Sequence, residues 1–144
     1  VISDHRKYSL LNQLDYNLQK WDAINASEYK FNYHVSYADC PTFDVLPTIE
    51  ITVNDNIITS AYILDLDTFL TETDNLYTVN ALYDEIQLQL GLTPIEAGLD
   101  AYENYKAPKF NDLGVPTSYF INAGGEECDA VNYSISELEI ISTN

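Results

Sequence analysis

Residues able to do chemistry are sparse in this chain: two cysteines, Cys40 and Cys128, and two histidines, His5 and His34, among 144 residues. Nucleophilic catalysis needs a Ser, Thr or Cys beside a base, and the pairing that a shared strand face offers is His34 with Ser36. Two residues apart on an alternating stretch, they share one strand face. No strained nucleophile turn or Gly-rich oxyanion loop accompanies them in the sequence, so solvent-facing strand residues are the simpler reading. Zinc requires clustered His and Cys, a pattern this sequence lacks. Asp65, Asp67, Glu72 and Asp74 offer oxygen ligands to Ca2+, but without the EF-hand spacing or its central Gly, and a solvated loop accounts for them. With 23 acidic residues, some carboxylate pair at glycosidase separation is expected by chance, so no single pair stands out. Gly124-Gly125 is followed by Glu126 and Glu127, which would repel a phosphate. The expectation is therefore no catalytic set, no cofactor site and no metal site.

The cysteines carry more information. Cys40 follows an alternating strand, and Cys128 sits in the turn Gly124-Gly125-Glu126-Glu127-Cys128-Asp129. Counting alone permits free thiols, one reactive Cys or a bridge. Cysteines at loop positions in a chain that looks exported are usually bridged, so a Cys40–Cys128 disulfide is the favoured reading. It would staple the first strand region to the last. There is no Met, which fits removal of a signal segment, although a trimmed chain would look the same.

Tyrosine is abundant, at 12 residues against a single Trp. Tyr29, Tyr33, Tyr37, Tyr62 and Tyr83 fall at core or core-edge positions of the elements below. Tyr102, Tyr105 and Tyr119 lie near a long loop and form a candidate exposed patch for a protein or glycan partner. The formal net charge of -17 argues against nucleic acid and anionic lipid, which reward clustered cations. No apolar run reaches the ~20 residues of a membrane span.

The elements that position these residues follow from periodicity. From about Asp4 to Asn25, Leu11, Leu14, Leu18, Trp21 and Ile24 recur at three- and four-residue steps, predicting an amphipathic helix capped by Ser3 or Asp4, with Trp21 in the core. Residues 1–10 are also read as a flexible lead-in from a removed signal or lipid-anchor segment. Tyr29, Phe31, Tyr33, Val35 and Tyr37 alternate with Lys30, Asn32, His34 and Ser36, a half-buried antiparallel strand. Strands over Pro47 to Asn54 and Ile57 to Leu64 form a hairpin through Asn54-Asp55-Asn56. Asp65 to Asn75 reads as a loop. Thr78 caps a second helix carrying Val79, Leu82, Tyr83, Ile86 and Leu90 on one face, ended by Gly91. Glu96 to Tyr105 reads as a strand of unsettled register, Lys106 to Gly114 as a long turn, and Thr117 to Asn122 and Val131 to Ile141 as two further strands. The expected architecture is one α+β domain over residues 1–144, in the order α-β-β-β-α-β-β-β. Its single antiparallel sheet of five to six strands carries two helices on one face.

Several short motifs, in this order and spacing, resemble a family of uncharacterised bacterial secreted proteins and lipoproteins. They are Trp21; Ser27-Glu28-Tyr29-Lys30-Phe31; Cys40-Pro41; the Ile49 to Tyr62 hairpin; Thr78-Val79 with Leu82-Tyr83-Asp84-Glu85-Ile86; Gly114-Val115-Pro116-Thr117-Ser118; and Val131 with Tyr133-Ser134-Ile135-Ser136. The likeness spans about Trp21 to Ile140. It departs at Asn54-Asp55-Asn56, where the family usually carries Gly, and at a longer Tyr102 to Asn111 connection that lacks the usual Asp-Pro step. The resemblance implies an extracytoplasmic address, often through a lipid-bearing Cys upstream of the domain, and no known activity. The expected function is a non-catalytic envelope module binding an unidentified protein or envelope component. The alternatives are an acid-residue hydrolase and an envelope inhibitor or accessory protein.

Overall fold

A computed structural model describes residues 1–37, 40, 46–98, 107–124 and 126–144. The first helix, α1, runs Asp4–Ile24, so residues 4–10 are helical. Ser3 in extended conformation accepts a hydrogen bond from the Arg6 amide at 3.1 Å, satisfying one of the first-turn donors. Asn25, at φ 53°, closes the helix in the left-handed region that Asn tolerates. The innermost line is Leu10, Leu14, Asn17 and Trp21, with Leu11, Leu18 and Ile24 on its flanks. The apolar stripe is thus rotated by one residue from the sequence reading at its N-terminal end. Buried Asn17 is tolerated because its amide donates to the Gln13 carbonyl one turn back, at 2.9 Å.

The strands are β1 (Ala26–Tyr37), β2 (Ile49–Asn54), β3 (Ile57–Ile63), β4 (Thr68–Phe69), β5 (Glu96–Ala97), β6 (Lys109–Phe110), β7 (Pro116–Asn122) and β8 (Ala130–Thr143). A 3-10 turn at Leu64–Leu66 precedes β4, and α2 spans Val79–Gly91. The sheet order is β4-β3-β2-β1-β8-β7-β5, with β6 paired to β7, and the pairings are antiparallel. The α+β class and the two helices are as expected, but among the described residues the sheet counts eight strands with β6 included, not five to six. The excess over six is β4 and β6, two residues each, in segments read as a loop and a turn, while β5 holds the first two residues of the strand expected from Glu96. Such short bridges are set by tertiary neighbours rather than by local alternation, so periodicity cannot reveal them.

The β2–β3 hairpin turns at Asp55 (φ 49°) and Asn56 (φ 62°). Two consecutive left-handed residues suit the right-handed twist of the flanking strands, and Asn and Asp adopt that conformation more readily than other non-glycine residues. Along β1, Tyr29, Phe31 and Tyr33 are buried and the intervening residues half-buried, as the alternation requires. Register carries the inward rows across the sheet: Tyr29 opposite Val53, Phe31 opposite Ile51, which in turn faces Ala61, and Val35 opposite Tyr133, which faces Tyr119. These side chains and the inner faces of both helices make one continuous core. On the other face Lys30 meets Glu139 at 3.4 Å; both are substantially exposed, so the pair is worth no more than about 1 kcal/mol.

Polar bonds fix how the helices sit. Trp21 is 4% exposed, packs edge-on against Tyr29 at 5.0 Å between centroids, and donates its indole N–H to Asn80 Oδ1 at 2.7 Å. Thr78 caps α2 by accepting from the Ala81 amide, and the Tyr29 hydroxyl accepts from the Val79 amide at 3.0 Å. Two of the four orphan donors of α2 are thereby met, one by its own cap and one by the sheet. At the other end α2 stops at Gly91, and the left-handed residue beyond it is Thr93 (φ 60°). Tyr83 of α2 donates its hydroxyl to the Gly114 carbonyl, tying the helix to the loop before β7.

Candidate functional site: a tyrosine cleft

The second half of β1 supplies Tyr33, Val35 and Tyr37, and antiparallel register brings Tyr133 of β8 opposite Val35 and Ile49 of β2 opposite Tyr33. Leu46 and Pro47, leading into β2, and Asn75-Leu76-Tyr77, leading into the Thr78 cap, close around them. The result is an open cleft of about 570 Å³, within the range of small-ligand sites. Tyr33 and Tyr133, 4% and 6% exposed, form its floor, while Tyr37 and Tyr77 are half-buried. Tyr77 stands edge-on to both floor rings, at 6.3 Å and 63° from Tyr33 and 6.4 Å and 89° from Tyr133. Such near-perpendicular contacts are favourable for aromatic quadrupoles and hold the rings in fixed orientations.

Burial pushes the phenols of Tyr33, Tyr77 and Tyr133 above their ordinary range, and the neighbouring Glu85 carboxylate raises all three further. They therefore remain neutral O–H donors at neutral pH. Glu85 lies on α2, where it accepts from the Gln89 amide at 2.9 Å. The cleft lining is aromatic and aliphatic with one amide, Asn75. It can hold an apolar or cationic group against ring faces and hydrogen-bond it at the rim.

The sequence-derived candidates fall out as follows. Cys40 and Cys128 are joined in a disulfide, with Cα atoms 4.5 Å apart. Tyr119 is 0% exposed and belongs to the core, packed edge-on against Phe110. It sits at the inward position of β7 opposite Tyr133, so nearness to the loop in sequence misplaced it on the surface. Tyr102 and Tyr105 lie outside the described residues. His34 and Ser36 do not form a working pair on this geometry: His34 Nε2 lies 3.1 Å from the Leu46 carbonyl, and its N–H donated there holds the segment that forms one wall of the cleft. His5 is exposed on α1. Asp67 accepts the Tyr62 hydroxyl, and among the described residues no three His, Cys, Asp or Glu side chains gather for a metal.

Comparison of the chain with family models and curated proteins, and of its fold with solved structures, returned no match. The site is read from its geometry.

Sequence reasoning missed Tyr77, Tyr133 and the Leu46-Pro47 wall. Two signals were present: Tyr133 is in phase with Ile135 on the last strand, and Tyr77 directly precedes the helix cap. What joins them to Tyr33 is long-range register, which no local window contains.

The Tyr119 hydroxyl is buried with no hydrogen-bond partner among the described residues. An unsatisfied buried hydroxyl carries its desolvation penalty without return. Tyr119→Phe should therefore raise stability by about 1 kcal/mol, read as a higher urea midpoint at unchanged slope. A loss of stability would mean that the hydroxyl has a partner.

Proposed function

We propose that this protein is a non-catalytic binding module of the bacterial envelope, working outside the cytoplasm, that receives part of a protein or envelope component in the tyrosine cleft. The observation that carries the reading is the convergence of Tyr33, Tyr37, Tyr77 and Tyr133 on one open cleft of about 570 Å³. Tyrosine offers large contact area at small entropy loss, together with a hydroxyl at the rim, and it is enriched in recognition surfaces for those reasons. The Cys40–Cys128 bridge is compatible with an oxidising compartment. The likeness to secreted bacterial proteins and lipoproteins points the same way and suggests a lipid anchor upstream of the domain.

The test is an amide NMR titration with three fragments: indole, methyl β-glucoside and butylguanidinium. At least one should shift Tyr33, Tyr77 and Tyr133 saturably, and Tyr77→Ala should weaken it at least about tenfold, as expected for loss of a buried aromatic contact. Tyr37→Ala, at a half-buried wall position, is the second variant should Tyr77→Ala not fold. No cleft response to any fragment, or full binding retained in a folded variant, would end the proposal.

A further inference from the structure

Resting on the cleft as the binding site, we infer that its occupant is an organic cation: the guanidinium of an arginine side chain presented by a protein partner. Four tyrosine rings line the cleft, and the face of each ring carries the negative lobe of its quadrupole, which attracts a desolvated cation. The Glu85 carboxylate of α2 bears electrostatically on three of the four rings, Tyr33, Tyr77 and Tyr133. Among the described residues no Lys, Arg or His lines the cleft. At a formal net charge of -17 the whole molecule draws cations toward it and repels acidic partners.

Arginine fits better than lysine. Its planar guanidinium stacks on a ring while still donating hydrogen bonds in plane, and it sheds water more readily than an ammonium group. The Asn75 side chain at the cleft supplies an amide oxygen for such a donor. The volume is ample for the side chain and its flanking peptide. A cation over a tyrosine already occurs in this molecule, on the exposed face of α1, where Lys20 Nζ stands 5.1 Å from the Tyr16 ring centre.

The deciding probes are two blocked pentapeptides, Gly-Gly-Arg-Gly-Gly and its citrulline counterpart, nearly identical in shape and different in charge. Titrated by NMR at low salt, the arginine peptide should bind about tenfold more tightly than the citrulline peptide. Glu85→Gln should remove most of that preference without changing citrulline binding, and Tyr77→Leu, which keeps apolar bulk but loses the ring, should weaken the arginine peptide more than the citrulline peptide. Equal binding of the two peptides, or an arginine preference untouched by both variants, would overturn the inference and leave the cleft as a binding site. So would silence from both peptides while indole or methyl β-glucoside still shifts Tyr33 and Tyr133. Silence from every probe would take the cleft reading down with it.

Discussion

Gly114→Ala should destabilise the domain by more than about 3 kcal/mol, whereas Gly91→Ala should stabilise it by about 0.5 to 1 kcal/mol. Gly114 has φ 86°, and a Cβ built there would lie 2.1 Å from the Asn17 backbone carbonyl of α1. The left-handed backbone costs an L side chain roughly 1 to 2 kcal/mol. Relieving the clash adds the roughly 1 to 3 kcal/mol typical of overpacking, because the obstacle is helix backbone rather than a side chain that can turn away. The loop has little room to retreat. Asn111 Oδ1 accepts from the Leu113 and Val115 amides at 3.0 and 2.9 Å, Val115 is buried, and the Gly114 carbonyl takes the Tyr83 hydroxyl. Moving the loop off α1 thus also loosens α2. At Gly91 an added Cβ meets nothing within 4 Å, and the position is helical, so alanine reduces only the freedom of the unfolded chain. Urea unfolding of both variants gives the comparison, and matching signs would refute this account of the loop.

Removing the disulfide is expected to have the other large effect. The bridge spans 88 positions, and closing a loop of that length restricts the unfolded chain by about 4 to 5 kcal/mol in the chain-entropy model. Replacing Cys40 and Cys128 together by Ala should lower the melting temperature by roughly 10 to 15 °C in a domain of this size. The urea slope should rise, since the uncrosslinked chain exposes more surface on unfolding. A midpoint unchanged within about 1 kcal/mol would show that the denatured oxidised chain gains little from losing its loop. The bridge also anchors the region next to β1, whose far half lines the cleft, so fragment binding in the double variant reports whether it shapes the site as well.

Much of this architecture was legible because its signals are local. Ser3 and Thr78 are polar residues directly ahead of helical stripes, and both cap as expected. Asp55 and Asn56 mark a turn whose backbone few other residues accept. The alternation read over Tyr29 to Tyr37 survives in the burial of Tyr29, Phe31 and Tyr33. The bridge joins the two cysteines favoured as partners. The illegible parts are decided by distant chain. β4 and β6 exist because a neighbouring strand offers unpaired groups to two residues each. Tyr119 and Tyr133 face one another across β7 and β8, yet one is sealed in the core and the other floors a cleft, according to which segments pass over them. Glu137, at φ 51°, lies beside the irregular pairing of β8 with β1, which no alternation pattern announces.

The central place of β8 beside β1 has a consequence for how the molecule is made. The strand that completes the middle of the sheet comes after the seven other described strands in chain order, and it follows closely on Cys128. Until Ala130 and its successors emerge, β1 carries an open edge beside buried tyrosines and phenylalanine, a hazard for unintended pairing. A premature stop anywhere before β8 would therefore yield a chain with no stable middle and an aromatic strand on offer to its neighbours, rather than a smaller domain. Sheets closed by such distant partners form slowly, so the nascent chain spends its most vulnerable interval waiting for β8.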